Sequence, residues 1–430
     1  MPRSLCLVLT CAVALPIAAQ TFDVDAAADA IESSVIEWRR DFHQNPELGN
    51  REFRTAGVIA AHLERLGIEV QTGVAHTGVV GVLRGGGDGP VVGLRADMDG
   101  LPVVERVDLP FKSEVTTTYR GQEVGVMHAC GHDTHMAILM GVAEILAENR
   151  EELQGTVKFL FQPAEEGPPE GEEGGAELMV KEGALKNPDV DVVFGLHIWA
   201  ARDIGTIGYR PRGIMAGVQD FRMEVHGVQA HGSAPWLGID PIVTAAQIVN
   251  GLQTIVSRSL ELTADAAVVT VGSIHGGVRS NIIPENLEMT GTIRTFSDEH
   301  RDLVHRRIRE VAGGVADAMG ARVDVQIPHT TSYPVTYNDP ELTARMVPTL
   351  IRTAGEDHVE LVDAVTGAED FSFFAREVPG LYFFLGGKSL DQAAEDTPSH
   401  HTPDFHIDEA GMKLGVRTMV NLTLDYLSGQ

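Results

Sequence analysis

Cysteine and histidine side chains are concentrated in one short stretch, residues 127–136, which reads Met-His-Ala-Cys-Gly-His-Asp-Thr-His-Met. Cys130, His132 and His135 follow a Cys-x-His-x-x-His spacing, and a thiol with imidazoles suits zinc and its neighbours in the first transition row. Gly131 has no Cβ, so the backbone can bend tightly enough for both flanking side chains to face one ion. The stretch is interpreted as the first half of a metal site. The alternative is a buried cysteine beside surface histidines.

Further metal donors come directly after predicted strands. The carboxyl ends of parallel strands meet at one edge of a sheet, where ligands bind in open α/β proteins. A last histidine, His401, follows the predicted strand 381–385, and the loop over residues 386–400 could carry it back to the same edge. The other donors are Asp97, Glu165, Glu166 and His197, after the predicted strands 91–94, 156–161 and 191–196.

Collected at one edge, these donors exceed what one tetrahedral ion needs, so two divalent ions are expected. Asp99 is better placed to orient a ligand than to bind metal. A thiolate favours zinc, while mixed nitrogen, oxygen and sulfur sites also accept manganese, cobalt or nickel. The five candidate ligands are Cys130, His132, Glu166, His197 and His401.

Glu165 and Glu166 are neighbours in a loop, so their carboxylates can point in different directions. One can bind metal while the other takes a proton from water, which is the usual arrangement in metal-assisted hydrolysis. The alternative is that Glu165 begins the acidic surface loop that continues through Glu170, Glu172 and Glu173. A non-catalytic periplasmic protein that binds metal or ligand is a hypothesis from another class, but such a site has no need of an unligated carboxylate.

The predicted fold class is α/β, with two domains, because 430 residues exceed the size of a single growing core. Strands alternate with helices over residues 21–212 and 334–430, which predicts a mainly parallel sheet in a catalytic domain. Two early strands, 79–83 and 91–94, flank a glycine-rich turn and are predicted to pair. Residues 213–333 follow the order β-α-β-β-α-β of a ferredoxin-like unit, which is predicted to be an inserted domain.

Residues 1–20 combine a charged start, a short apolar run and a small-residue end, which predicts a cleaved signal peptide. We therefore expect export to the periplasm or secretion. Cys6 and Cys11 lie in this leader, so the mature chain retains Cys130 alone and can form no internal disulfide.

The chain is acidic, with 33 lysines and arginines against 61 aspartates and glutamates, a formal net charge of −28. Such a surface repels nucleic acid and anionic membranes, and both are therefore excluded as expected partners.

Eight sequence blocks closely resemble the metallopeptidase family of aminoacylase-like amidohydrolases. The resemblance is strongest to the branch of hippurate hydrolases, N-acyl-amino-acid amidohydrolases and auxin-conjugate hydrolases. The blocks extend in the right order over nearly all of the mature chain. They are residues 41–48 (DFHQNPEL), 94–102 (LRADMDGLP), 127–135 (MHACGHDTH), 161–167 (FQPAEEG), 195–197 (GLH), the segment around His231, 369–371 (EDF) and 401–403 (HTP).

This resemblance implies a two-metal catalytic domain and a smaller inserted domain that acts as a lid or dimerisation unit. It also implies the five ligands named above, with Glu165 as the base. His231 matches a histidine that reaches a neighbouring active site to stabilise the tetrahedral oxyanion, although by itself it reads as a surface residue. Asn281 and Arg294 fit groups that bind the free carboxylate of the substrate. Other branches place a metal-binding histidine where this chain has Asp97.

The resemblance therefore predicts an exported, metal-dependent hydrolase that cleaves the amide bond of N-acyl amino acids, with acetyl, benzoyl or similar acyl groups. Its partners are expected to be a small N-acyl amino acid or short peptide and a second copy of the chain in a homodimer. After removal of the leader no membrane partner is expected. A dipeptidase or carboxypeptidase that uses the same site is the alternative.

Overall fold

The computed structural model describes residues 22–429, so the predicted signal peptide lies outside the described residues. Strands alternate with helices over most of this range. The strands in chain order are β1 (Glu69–Val74), β2 (Gly78–Arg84), β3 (Gly87–Asp97), β4 (Thr116–Tyr119), β5 (Gln122–Gly125), β6 (Gln154–Gln162), β7 (Val192–Asp203), β8 (Ile207–Tyr209), β9 (Arg212–Met215), β10 (Gly217–His226), β11 (Ala230–His231), β12 (Ala267–Gly276), β13 (Ile282–Ile283), β14 (Asn286–Thr295), β15 (Arg322–Gln326), β16 (Ser332–Tyr333), β17 (Thr336–Asn338), β18 (Val359–Leu361) and β19 (Gly380–Lys388).

Side-chain caps mark where several helices begin. The Asp23 carboxylate accepts the first free N–H groups of α1, Asp240 does the same for α5, and the Ser297 hydroxyl caps α6. The helices are α1 (Val24–Gln44), α2 (Phe53–Arg65), α3 (His132–Glu148), α4 (Gly175–Lys181), α5 (Pro241–Ser259), α6 (Asp298–Met319), α7 (Pro340–Ala354), α8 (Phe371–Glu377) and α9 (Met412–Leu427).

The first unit is built on an eight-stranded sheet with the order β1-β2-β6-β3-β7-β19-β8-β18. Its four central strands, β6, β3, β7 and β19, run parallel, whereas β1, β2 and β8 form antiparallel pairs. The prediction of a mixed α/β fold with a large, mainly parallel sheet is confirmed. The donors predicted to follow strand ends therefore belong to adjacent parallel strands.

The prediction that strands 79–83 and 91–94 pair with each other is wrong. Strand β6 lies between them and is antiparallel to β2 and parallel to β3. The glycine-rich segment bonds to the start of β6 instead of closing a hairpin, since the N–H of Gly85 donates to the carbonyl of Gly155. A long-range strand pairing has displaced the local one.

Helices cover both faces of the large sheet. Helices α1, α3 and α9 contact one another on one face, and α4 contacts α8 on the other. Almost every residue of α3 is buried, which matches its predicted apolar pattern. Burial of each large aliphatic side chain contributes about 1.5–3 kcal/mol to folding, so this face firmly holds the helix that carries His132 at its first turn.

A second sheet has the strand order β12-β14-β10-β15, with the short strand β16 also paired to β10, and every pair is antiparallel. Along the chain the elements are β10, α5, β12, β14, α6 and β15, and both helices contact the sheet. A hydrophobic cluster around Phe221, Ile248 and Ile308 is separate from the clusters of the large sheet. We call residues 217–326 the inserted unit and the rest of the described chain the catalytic unit.

The chain enters the inserted unit after β9 and leaves it before β17, and these two strands pair antiparallel through Thr336 and Met215. The entry and exit are therefore joined in a two-stranded ribbon. Among residues 22–429, no helix is long and apolar enough to cross a membrane.

Candidate metal centre

The turn that begins α3 carries Cys130 and His132 on either side of Gly131. Gly131 has a φ of 97°, in the left-handed region that side chains rarely adopt. A Cβ on this residue would lie 2.3 Å from Cγ2 of Ile198 in strand β7. Glycine is therefore required for the turn to approach the neighbouring strand, and the approach brings Cys130 close to the donors on β7.

The Cys130 thiol is buried and lies at the centre of the donor cluster. Its Sγ atom is 3.4 Å from Nε2 of His197 and 3.2 Å from Nε2 of His401. The same His401 nitrogen is 2.8 Å from Oε1 of Glu166. Four of the five predicted ligands therefore meet around one sulfur atom.

His132, the fifth predicted ligand, is fully buried beside this group. Its Nδ1 donates to the main-chain carbonyl of Asp99 at 2.9 Å. Its Nε2 has no hydrogen-bond partner and lies 3.7 Å from Oδ2 of Asp97 and 3.8 Å from Oε2 of Glu165. A buried, unpaired imidazole nitrogen facing two carboxylates is the arrangement expected of a metal ligand.

The second imidazole, His197, is oriented in the same way. Its Nδ1 is 2.6 Å from the carbonyl of Ile198, and because a carbonyl can only accept, Nδ1 carries the proton. The lone pair on Nε2 therefore faces the Cys130 thiol. His197 presents an unprotonated Nε2 to the cluster and His132 presents an Nε2 without a hydrogen-bond partner, so the residues present fit a pair of divalent cations.

The electrostatics of the cluster agree with this fit. Burial and the nearby carboxylates of Glu166 and Glu165 raise the pKa of the Cys130 thiol well above its usual range. Burial, Glu369 and Glu166 likewise raise the pKa of Glu165. Burial alone would lower the pKa of His132, but neighbouring carboxylates outweigh it and raise the pKa to about 10. Without cations, the buried negative charge of the cluster favours the protonated forms of these side chains. Bound cations would lower their pKa values instead.

The loop after β6 places Glu165 and Glu166 through an unusual backbone. Ala164 has a φ of 50°, and its N–H donates to the buried carboxylate of Glu52 at 2.9 Å. The next two N–H groups, those of Glu165 and Glu166, donate to the two carboxylate oxygens of Asp99 at 3.1 and 3.0 Å. Two buried carboxylates therefore fix three consecutive peptide groups, and Asp99 orients the loop and also contacts His132.

Glu165 is only 6% exposed, so the alternative that it begins the acidic surface loop is wrong. Tyr333, in strand β16, which pairs with β10 of the inserted unit, donates its hydroxyl to the Glu165 carbonyl at 3.1 Å. The side chain of Glu165 faces His132, and its neighbour Glu166 faces His401. The two adjacent carboxylates thus point to different imidazoles, as the sequence allowed.

His135, the third donor of the opening motif, is not free to bind an ion. Its Nε2 accepts the N–H of Ile198 at 2.8 Å, and its Nδ1 donates to Oδ1 of Asp97 at 2.6 Å. Because both nitrogens are engaged, His135 links Asp97 to strand β7. His135 was not among the five predicted ligands, and both of its ring nitrogens orient neighbouring groups.

Sequence reasoning also missed a buried network behind Asp97. Arg95 donates to Asp97, Glu369 and Asp370 at 2.8–3.1 Å, and Tyr382 donates to Glu369 at 2.6 Å. The blocks 94–102 and 369–371, matched by resemblance, contain its charged members, but they indicated neither the partners nor the role of these residues. Arg95 holds Asp97 through Oδ2, the same oxygen that faces Nε2 of His132.

A cavity of about 1720 Å³ opens onto the donor cluster between the two units. Cys130, Glu165, His197 and His401 line it from the catalytic unit, and Arg294 lines it from strand β14 of the inserted unit. Burial lowers the pKa of Arg294, and among residues 22–429 no carboxylate offsets this effect. A half-buried guanidinium without an acidic partner is suited to bind an anion.

The remaining predicted site residues lie elsewhere. His231 and Asn281 are exposed, and they are close to each other because the N–H of Gly232 donates to the Asn281 carbonyl at 2.9 Å. Neither residue lines the cavity of its own chain. Another difference concerns β7, which was predicted to end before His197 but continues through it to Asp203. His197 therefore projects from within a strand and not from its end.

Comparison with known proteins gives consistent matches. The profile described as peptidase family M20/M25/M40 matches residues 93–425. Thermostable carboxypeptidase 2 of Saccharolobus solfataricus is 39% identical over 92% of this chain and 96% of its own length. N-acetyl-L-cysteine deacetylase of Bacillus subtilis is 36% identical over 89% of this chain and 85% of its own.

A solved structure also matches at a useful level of identity. The Bacillus subtilis YXEP protein, described as a dinuclear metal binding peptidase, is 33% identical and superposes with a TM-score of 0.76. The match covers 93% of this chain and 99% of that one.

Proposed function

Because this chain belongs to peptidase family M20/M25/M40, a family of metal-dependent hydrolases of amide and peptide bonds, we propose that it hydrolyses N-acyl amino acids. The acyl groups proposed are acetyl, benzoyl or similar, and the amino acid has a free carboxylate. The observation that carries this proposal is Arg294, an unpaired cation that faces the same cavity as Glu165 and the donor cluster. A substrate carboxylate on Arg294 would place the neighbouring amide towards the catalytic unit.

The side chains proposed to hold two divalent ions, zinc or else manganese, cobalt or nickel, are Cys130, His132, Glu166, His197 and His401. Such ions would supply Lewis acidity, which acidifies water and polarises a carbonyl. Glu165 is proposed as the base because its carboxylate is buried at the cluster and its loop is fixed by Glu52 and Asp99. It takes the proton of the attacking water and passes it to the leaving amine.

His231 is proposed to stabilise the oxyanion in the site of a second copy. The N–H of Ser233 donates to its Nδ1 at 3.0 Å, so the ring proton resides on Nε2. This exposed N–H is then available as a donor, which an oxyanion requires. Asn281, next to His231, is proposed to contact the substrate carboxylate together with Arg294.

A homodimer is proposed through the inserted unit, which is proposed to form the core of a ferredoxin-like lid and dimerisation domain over residues 213–333. Strand β12 is an edge strand, paired only with β14, and edge strands present unpaired backbone groups to a second sheet. Exposed apolar side chains, including Ile274 and Val278, lie on or beside it. Export directed by residues 1–20 is likewise a proposal, supported by the composition of that segment.

A substrate panel tests the proposed function. The panel compares N-acetyl and N-benzoyl amino acids with the same compounds as C-terminal amides, and with dipeptides. We expect turnover of the free acids and a loss of at least about 100-fold in kcat/KM for the amides, because Arg294 then has no anion to pair with. Equal turnover of acids and amides would refute recognition of the carboxylate.

Carboxypeptidase or dipeptidase activity is the second candidate. It is favoured by the similarity to thermostable carboxypeptidase 2 and by a cavity large enough for a peptide. Both candidates require the free carboxylate, and they differ only in the group on the other side of the bond. Preference for dipeptides over every N-acyl compound would decide for this candidate.

A further inference from the structure

His400 is the immediate neighbour of the proposed ligand His401, which the resemblance of residues 401–403 selected, while His400 was given no role. The structure separates them. Nε2 of His401 faces Cys130 and Glu166, whereas both ring nitrogens of His400 already have main-chain partners. The N–H of Ala200 donates to Nε2 of His400 at 3.1 Å, and Nδ1 lies 3.2 Å from the carbonyl of Cys130.

These two contacts determine where the ring proton resides. A main-chain N–H can only donate, so Nε2 of His400 is unprotonated, and a carbonyl can only accept, so Nδ1 carries the proton. The ring therefore donates to the residue that carries the thiol and accepts from strand β7. Sγ of Cys130 is farther from this nitrogen, at 3.9 Å.

The ring is also held by aromatic neighbours. Its centroid lies 4.8 Å from that of Phe405 and 5.3 Å from those of Trp199 and His197. His401, the next residue, has a φ of 64°, a left-handed conformation that a non-glycine residue adopts only when its surroundings enforce it. The packed His400 ring supplies such a restraint directly before the strained residue.

We propose that His400 is a positioning residue that aligns the three chain segments bearing Cys130, His197 and His401 around one metal ion. His400 hydrogen-bonds to the main-chain carbonyl of Cys130 and to the N–H of Ala200, which lies on the same strand as His197. It directly precedes His401 in the chain. This inference rests on the proposed dinuclear site. It assigns His400 no bond to metal and no contact with substrate.

The test uses two variants of the full chain and one control. H400N retains an N–H near the position of Nδ1, and H400F retains only the ring packing. H406N is the matched control, since His406 belongs to the same loop and makes only a local contact with the Asp404 carbonyl. Zn²⁺ affinity is measured by competition with a chelator, and Co²⁺-loaded protein is examined for its thiolate charge-transfer absorption.

We expect H400F to lose about 10- to 100-fold in affinity for one ion, as is usual when a partner behind a metal ligand is removed. H400N should recover part of that loss, and H406N should equal the wild type. The Co²⁺ absorption should shift in H400F while the thermal unfolding of the metal-free chain changes little. A merely structural role would instead lower the unfolding temperature of the metal-free protein.

Wild-type Zn²⁺ affinity in H400F would overturn the proposal. An equal loss of Zn²⁺ affinity in H400N and H400F, together with a changed Co²⁺ coordination number, would also overturn it, because His400 would then be a ligand. If H400F does not fold, H400L takes its place, since leucine keeps neither ring nitrogen, and wild-type affinity in H400L would contradict the proposed hydrogen bond. Uptake of two ions by the wild type is measured first. Its failure would refute the dinuclear site itself.

Discussion

The donor cluster of the catalytic unit and the His231 region of the inserted unit differ in how completely one chain builds them. In the cluster, buried carboxylates and carbonyls fix His132, His197 and the loop of Glu165. His231 is exposed, touches only Ser233 through its ring, and does not line the cavity of its own chain. The donor cluster is therefore formed by one chain alone. His231 has the exposure expected of a residue that acts on a second chain.

The largest effect on metal content and turnover is expected from a substitution in the donor cluster. C130S replaces the sulfur around which three other proposed ligands, His197, His401 and Glu166, meet. We expect loss of at least one bound ion, and a fall in turnover of at least about 10³-fold, because water is no longer acidified by metal. Elemental analysis and a turnover assay check both. Full metal content with normal turnover would show that the thiol is not a ligand.

The next prediction concerns the region that depends on a partner. H231N should lower kcat by about 10²- to 10³-fold with metal content unchanged, because an oxyanion donor is removed. If His231 acts in the neighbouring site, mixing inactive H231N and E165Q chains should restore about a quarter of wild-type activity, since half the dimers are mixed and each has one intact site. No recovery after exchange of subunits would place His231 in its own site.

Arg294 connects the two regions because it extends from the inserted unit into the cavity of the catalytic unit. R294Q should raise KM by about 100-fold for free acids with a smaller change in kcat, since a charge-assisted pairing with the substrate carboxylate is lost. Steady-state kinetics check this change. The same variant should leave the slow turnover of C-terminal amides unaltered, and an equal loss on amides would argue against carboxylate binding.

The comparison also shows which parts of the molecule could be predicted from sequence. The five proposed ligands were found because each follows a predicted strand or belongs to a tight motif, and adjacent parallel strands place such residues at one edge. Glu52 and Tyr333 were not found, because each acts on the Glu165 loop from more than a hundred residues away. No local pattern encodes those contacts.

The same reason accounts for the wrong strand pairing and for the absence of any local pattern that separates His135 from the ligands. The pairing of strands 79–83 and 91–94 was inferred from their proximity along the chain, but β6 from residues 154–162 lies between them. His135 has the same side chain and nearly the same spacing as the proposed ligand His132. Only its position beside Ile198 and Asp97 shows that both of its nitrogens are occupied.

The smallest predicted effect concerns Glu52, behind the Glu165 loop. Burial and the charge of Asp99 raise the pKa of Glu52 to about 8. Between its unfolded pKa near 4.5 and about 8 the native state retains a proton that the unfolded chain releases, so stability falls as pH rises through this window. E52Q mimics the protonated acid. The free energy of unfolding of E52Q should therefore fall less steeply with pH than that of the wild type, by up to about 1.4 kcal/mol per pH unit.

Urea unfolding of the metal-free chain at several pH values measures the slope for E52Q and the wild type. T77V is the matched control, because it removes the hydroxyl that donates to Glu52 and leaves the carboxylate in place. A slope in E52Q equal to that of the wild type would show that Glu52 titrates normally in the folded protein.

The central claim is that five side chains of the catalytic unit hold two ions while Glu165 remains free to take a proton. Metal content and turnover of E165Q, measured on the same preparation, test it most directly. The account predicts two ions per chain, as in the wild type, with turnover lowered by at least about 10³-fold. Loss of an ion in E165Q, or substantial remaining turnover, would contradict it.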